Sequence, residues 1–78
     1  MATAFVLVNA ELGEEGRVLK ELRSMSEITE AHIVYGVYDI IAKIEAKTMD
    51  ELKEVVSSKI RKLGSIRSTL TLNAVEGV

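Results

Sequence analysis

The chain has 78 residues, ten Lys and Arg against twelve Asp and Glu, and a formal net charge of −2. It has no cysteine, no proline, no tryptophan and one histidine. Disulfides and thiolate metal sites are thereby excluded, and a structural metal held by histidines is disfavoured. A core this small usually contributes only about 3–5 kcal/mol of net stability. Association with other subunits is therefore the expected source of further stabilisation.

The basic residues are interleaved with acidic ones, and Lys59, Arg61 and Lys62 form the one basic cluster. Direct nucleic-acid binding, which rests on clustered Lys and Arg, is disfavoured. No apolar run approaches the roughly 20 residues of a membrane span. The N-terminus lacks the charged region and cleavage pattern of a signal peptide. These features point to a soluble, cytoplasmic protein that forms one domain over residues 1–78.

Residues 3–9 are apolar on both alternations, with Ala4, Val6 and Val8 on one face and Phe5 and Leu7 on the other. A strand of this kind is expected at the centre of a sheet. Residues 14–25 place Val18, Leu19, Leu22 and Met25 on one helical stripe and charges on the other, an amphipathic helix with acidic residues in its first turn. Residues 28–35 and 37–46 read as two strands joined by a tight turn at Gly36. In the second of them Ile40, Ala42, Ile44 and Ala46 share a dry face, while Asp39, Ile41, Lys43 and Glu45 share the other.

Thr48 and Glu51 have capping-box spacing at the start of a second helix. Met49, Leu52, Val55, Val56, Ile60 and Leu63 make its apolar stripe, and Gly64 suits the position just past its end. Residues 65–75 form the last strand. Alternation puts Ile66, Ser68, Leu70, Leu72 and Ala74 on one face and Arg67, Thr69, Thr71 and Asn73 on the other. A short tail, 76–78, closes the chain.

The order β-α-β-β-α-β predicts an α+β, ferredoxin-like fold: a four-stranded antiparallel sheet with two helices on one face. The first and third strands are expected inside. The open face should carry Phe5, Leu7, Ile33, Tyr35 and Ile41 beside the polar row of the last strand. An apolar face of that size signals an interface, and two such sheets packed face to face would give an isologous dimer.

Catalytic constellations are missing. No glycine-rich loop has phosphate-binding spacing, and His32 reads as a surface or edge-strand histidine. A single phenylalanine does not make the aromatic platform that RNA-binding versions of this fold need. A small dimeric monooxygenase would require a polar group in the sheet–helix cavity, and none stands out. The sequence therefore reads as a non-enzyme with no cofactor and no metal.

A free amino acid presents an ammonium and a carboxylate, and burying both requires an acceptor and several donors. Asp39 is a suitable acceptor. The Thr69 and Thr71 hydroxyls, with backbone N–H groups near Gly36, could serve the carboxylate, and Tyr38 could wall the side-chain pocket. The competing reading is a hairpin aspartate and a solvated threonine ladder.

The run from Val34 through Gly36, Tyr38 and Asp39 to Ile41 resembles the effector domain of the Lrp/AsnC regulators, also called the RAM domain. Glu30-Ala31 precedes that run, and Asp50, Glu51 and Leu52 follow it. The closing stretch, with Ile66, Arg67, Thr69, Leu70 and Thr71, is similar to that family's final strand. The resemblance implies dimers formed through the sheet faces, dimers assembled into rings (often octamers), and amino-acid effectors bound between dimers. It also implies ligand-binding roles for Gly36, Tyr38 and Asp39 on the hairpin side and for Thr69 and Thr71 on the last strand. Val34 and Leu70 are further lining positions.

Many members have Pro-Gly before the last strand where this chain has Gly64-Ser65, so a different loop shape is expected there. Full-length members carry an N-terminal helix-turn-helix. With the first strand starting at residue 3, the sequence reads as a stand-alone effector domain, acting on transcription indirectly by co-assembly with full-length relatives. An amino-acid-sensing subunit of the ACT type and a purely structural assembly partner are the alternatives.

Overall fold

The computed structural model describes residues 1–75; the expected tail at 76–78 lies outside the described residues. Strand β1 spans Ala2–Ala10, helix α1 Glu15–Arg23, β2 Ile28–Ile33, β3 Ile40–Ala46, α2 Met49–Val55 and β4 Ile66–Asn73. The sheet is antiparallel in the order β2-β3-β1-β4, which puts the first and third strands inside as expected. The fold is ferredoxin-like.

One face of the sheet is dry because its residues alternate with a period of two. Ala4, Val6 and Val8 of β1 and Ile40, Ala42 and Ile44 of β3 are fully buried. They meet Val18 and Leu22 from α1 and Leu52, Val55, Val56 and Ile60 from α2. Full burial of a side chain such as Leu22, Leu52 or Ile60 contributes about 1.5–3 kcal/mol. Arg23 ends α1 with Nε and Nη2 both donating to the Ala31 carbonyl, at 3.1 and 2.7 Å, which ties the helix to β2.

Thr48 caps α2: its Oγ1 accepts the Glu51 N–H at 3.1 Å. The reciprocal bond from the Glu51 side chain, which the capping-box spacing predicts, does not form among the described residues. After Val55 the helix widens into a π-helical turn over Val56–Ile60, where the Arg61 N–H reaches the Val56 carbonyl at 3.0 Å. The wide turn keeps Val55, Val56 and Ile60 all buried. Gly64 is not the left-handed residue after this helix. Ser65 is, at φ 69°, and its carbonyl accepts the Glu11 N–H at 2.7 Å.

Three sequence expectations are corrected by the strand register. The link between β2 and β3 is a six-residue loop, 34–39, and the tight turn expected at Gly36 does not form. Strand pairing starts with Ile33 opposite Ile40, and the Val34 N–H closes the loop on the Asp39 carbonyl at 2.8 Å. Tyr35 is accordingly in the loop and fully exposed.

Second, Ile33 is in register with buried Ile40, so it belongs to the helix side; His32, opposite Ile41, takes the open face on edge strand β2.

The third correction concerns β4. Asn9 pairs with Ser68 but Ala10 pairs with Ile66, so Arg67 is the extra residue of a β-bulge. The bulge shifts the alternation by one. Ile66 packs on the core, yet Leu70 and Leu72 pair with Leu7 and Phe5 on the open face. Thr69, Thr71 and Asn73 pair with Val8, Val6 and Ala4 and so lie on the helix side. The open face is thus more apolar than predicted: Leu70 and Leu72, 43% and 50% exposed, join Phe5, Leu7 and Ile41.

Candidate functional site

The loop 34–39 is held at both ends. Its last residue donates its own N–H to the Val8 carbonyl at 3.0 Å. The Asp39 side chain then folds over β1, where Oδ2 accepts the Ala10 N–H at 3.0 Å. The main chain of β3 has left the ladder by this point, so the carboxylate supplies the acceptor that a next strand residue would have given. Asp39 Oδ1 makes no hydrogen bond among the described residues. Gly36 sits at φ 137°, which side chains rarely adopt, with nothing within 4 Å of where a Cβ would stand. Glycine is needed there for conformation, not for a close approach. Val34 and Tyr38 are half-buried.

Asp39 lines a concavity of about 350 Å³ together with Asn9, Val37, Arg67 and Ser68. Asn9 and Ser68 are cross-strand partners, with Asn9 Nδ2 donating to Ser68 Oγ at 3.3 Å. None of the other expected site residues lines it. Gly36 and Tyr38 are in the loop behind, and Leu70 lies farther along the open face.

Thr69 and Thr71 are not beside Asp39. Val8 is paired with Ile40 on one side and Thr69 on the other, so β1 runs between them. Two strand spacings, about 9–10 Å, separate Asp39 from the threonines before any offset along the strands is added. Thr71 belongs to a different cleft, of about 330 Å³, between α2 and β4, with Leu52, Lys53, Val56, Ser57, Arg61 and Asn73. Its Oγ1 is buried there without a partner among the described residues. An ammonium and a carboxylate on one carbon cannot bridge Asp39 and Thr71 of one chain.

A roomier groove, about 580 Å³, opens at the other end of the molecule between α2 and the residues around Ala46. It holds the ion pair of Lys59 Nζ with Glu27 Oε2, at 2.9 Å. The Lys59 hydrogen bond holds the Glu27 carboxyl below its ordinary value of 4.5. Glu27, Glu45, Asp50, Glu51 and Glu54 line the groove against Lys47 and Lys59, so it is acidic, and Asp39 is not part of it.

No cluster of three or more His, Cys, Asp or Glu side chains suited to a metal occurs among the described residues. No helix among them is long and apolar enough to cross a membrane.

The βαββαβ sheet, with a carboxylate at the loop margin and an apolar face left open, has the form of a small ligand-binding regulatory module. The chain belongs to the Lrp/AsnC ligand binding domain family, whose model matches residues 3–78. It is 37% identical over 60 residues to the regulatory protein AsnC of Haemophilus influenzae, covering 77% of this chain and 40% of that protein. Among solved structures, it is similar to a hypothetical protein, PHS023, of Pyrococcus horikoshii at 41% identity and a TM-score of 0.92. That match covers 96% of this chain and 90% of that one. It is also similar to Escherichia coli AsnC, at 29% identity and a TM-score of 0.89, over 96% of this chain and 51% of that one. The chain spans about two fifths of the length of the curated relatives first matched. Those relatives are two HTH-type transcriptional regulators of Pyrococcus and the regulatory protein AsnC.

Proposed function

We propose that this chain is the effector-sensing part of a regulator: it binds a free amino acid and works in an assembly of dimers joined through their open sheet faces. It acts by binding, without catalysis. The observation that carries this reading is Asp39. Its carboxylate is positioned by the Ala10 N–H and keeps a second oxygen for a cation, at the edge of an unpartnered apolar face. An ammonium group fits that oxygen.

Face-to-face pairing would cover Phe5, Leu7, Ile41, Leu70 and Leu72. Thr69 and Thr71 lie across β1 on the helix side, so they serve the same ligand only when another subunit presents them. Gly36 and Tyr38 shape the loop, Val34 is its first residue, and Leu70 lies on the open face. Co-assembly with full-length family members, in the cytoplasm, would carry the signal to DNA.

The test is a thermal-shift panel of the twenty amino acids on the assembled protein. A ligand at a hundred times its Kd stabilises by about 2.7 kcal/mol. In a domain of this size that raises Tm by on the order of 10 °C. One or a few hits are expected. A flat panel refutes amino-acid sensing.

A second reading, an assembly partner without a ligand, draws on the bond to Ala10, which gives Asp39 a structural role of its own. A flat panel with an intact oligomer in light scattering would favour it.

A further inference from the structure

We propose that Arg67 is the group that holds the carboxylate of the amino acid whose ammonium Asp39 accepts. Within one chain, the concavity walled by Asn9, Asp39, Arg67 and Ser68 then grips both ends of the ligand backbone. This rests on the amino-acid reading above and replaces the threonines as the donors nearest Asp39.

The bulge is the first reason. Arg67 is the residue that β4 inserts between the pairs Asn9–Ser68 and Ala10–Ile66. Bulges bend a strand locally and re-aim the side chain they carry. On the other side of β1, the Ala10 N–H is bound by Asp39. One short segment of β1, Asn9 and Ala10, therefore sets the positions of both charged groups, although one comes from the 34–39 loop and the other from β4.

Reach is the second reason. Asp39 and Arg67 lie on either side of β1, about two strand spacings apart in the backbone. A threonine hydroxyl one bond beyond Cβ cannot cover that separation. An arginine can, and both side chains line the same space of about 350 Å³.

Charge is the third. The Arg67 side chain makes no hydrogen bond and no ion pair among the described residues, with Asp39 or any other group. Its planar fork is thus unengaged and suited to take a carboxylate through two parallel N–H bonds. The Asn9 and Ser68 side chains between them add a carbonyl, an amide and a hydroxyl at the centre of the site. Opposite charges held apart, with polar groups between, match a zwitterion better than either a simple anion or a simple cation.

The experiment takes the strongest amino acid from the thermal-shift panel and measures its Kd by calorimetry, alongside its carboxamide and its decarboxylated amine. Wild-type protein, Arg67→Gln and Arg67→Lys are compared. The Arg67 side chain is exposed and has no bonding partner among the described residues, so the variants should keep the wild-type Tm without ligand.

Arg67→Gln is expected to weaken the amino acid by roughly tenfold or more, the loss of hydrogen bonds to a charged group, and Arg67→Lys by less. The carboxamide should bind wild type weakly and lose nothing further in Arg67→Gln. If Arg67→Gln binds the amino acid as tightly as wild type does, the assignment of Arg67 is overturned while amino-acid sensing stands. If the variant weakens the amino acid and the carboxamide equally, Arg67 does not read the carboxylate, and the assignment falls as well. If wild type binds none of the twenty, both readings fall together.

Discussion

Replacing Asp39 by alanine removes the acceptor for the Ala10 N–H and leaves that donor half-buried next to a bulge. Losing one partner of a buried hydrogen bond costs about 1–3 kcal/mol, and bonds to charged groups fall at the upper end. Solvent reaches the half-exposed Asp39, which lowers the expected loss to about 1–2 kcal/mol. For a domain of 60–100 residues, each kcal/mol moves Tm by about 4–8 °C, so the shift should be about 5–15 °C. Asp39→Asn retains an acceptor oxygen and should lose roughly half as much. Urea unfolding at one fixed protein concentration is the suitable assay, because oligomer formation makes stability concentration-dependent. An unchanged slope with a lower midpoint would locate the effect in the folded state. A loss below about 0.3 kcal/mol for Asp39→Ala, without any ligand, would refute the claim that this carboxylate anchors the loop to β1. The result also governs binding work: alanine at 39 disturbs the fold, so Asp39→Asn is the cleaner probe of ammonium recognition.

Two further outcomes are expected. Glu27 has its folded pKa lowered below 4.5 by Lys59, so the pair stabilises the fold above that value, and the contribution is lost as pH falls through the folded pKa. Glu27→Gln should cost at most about 1 kcal/mol at neutral pH, since the pair is partly exposed, and should flatten the dependence of Tm on pH below about 4.5. Leu70→Glu puts a charge on the open face, where a face-to-face dimer would have to bury it at a cost of several kcal/mol. Light scattering should show monomers at micromolar concentration; an unchanged oligomer would mean that the subunits meet elsewhere.

The layout of the fold was open to reading because each element announces itself locally. The alternation in β1 and β3, the spacing of Val18 and Leu22, and the Thr48 cap all point the same way. What escaped was phase. Strict alternation assigns a whole strand to one face or the other, and nothing in Ile66-Arg67-Ser68 signals that one residue is extra. The bulge sent Leu70 and Leu72 to the open face, turned Thr69 and Thr71 away from Asp39, and put Arg67 on the rim of the same concavity as that carboxylate. Similarly, Gly36 suggested a tight turn, but the pairing of Ile33 with Ile40 left a longer loop. Asp39 reads in the sequence as a suitable acceptor; its bond to Ala10 depends on a strand distant in sequence, and no local pattern encodes it.

The sheet has two ends as well as two faces, and both ends carry an irregularity. Strand β2 shifts register between Ile28 and Glu30, and β4 does so at Arg67. These are the outermost strands, whose unpaired backbone groups would otherwise template growth of the sheet from one molecule into the next. A bulged margin twists and interrupts that row of donors and acceptors. Sideways polymerisation toward fibres is thereby discouraged. Smoothing the β4 margin, by deleting Arg67 for example, would remove a charge and straighten an exposed row of hydrogen-bonding groups at one stroke.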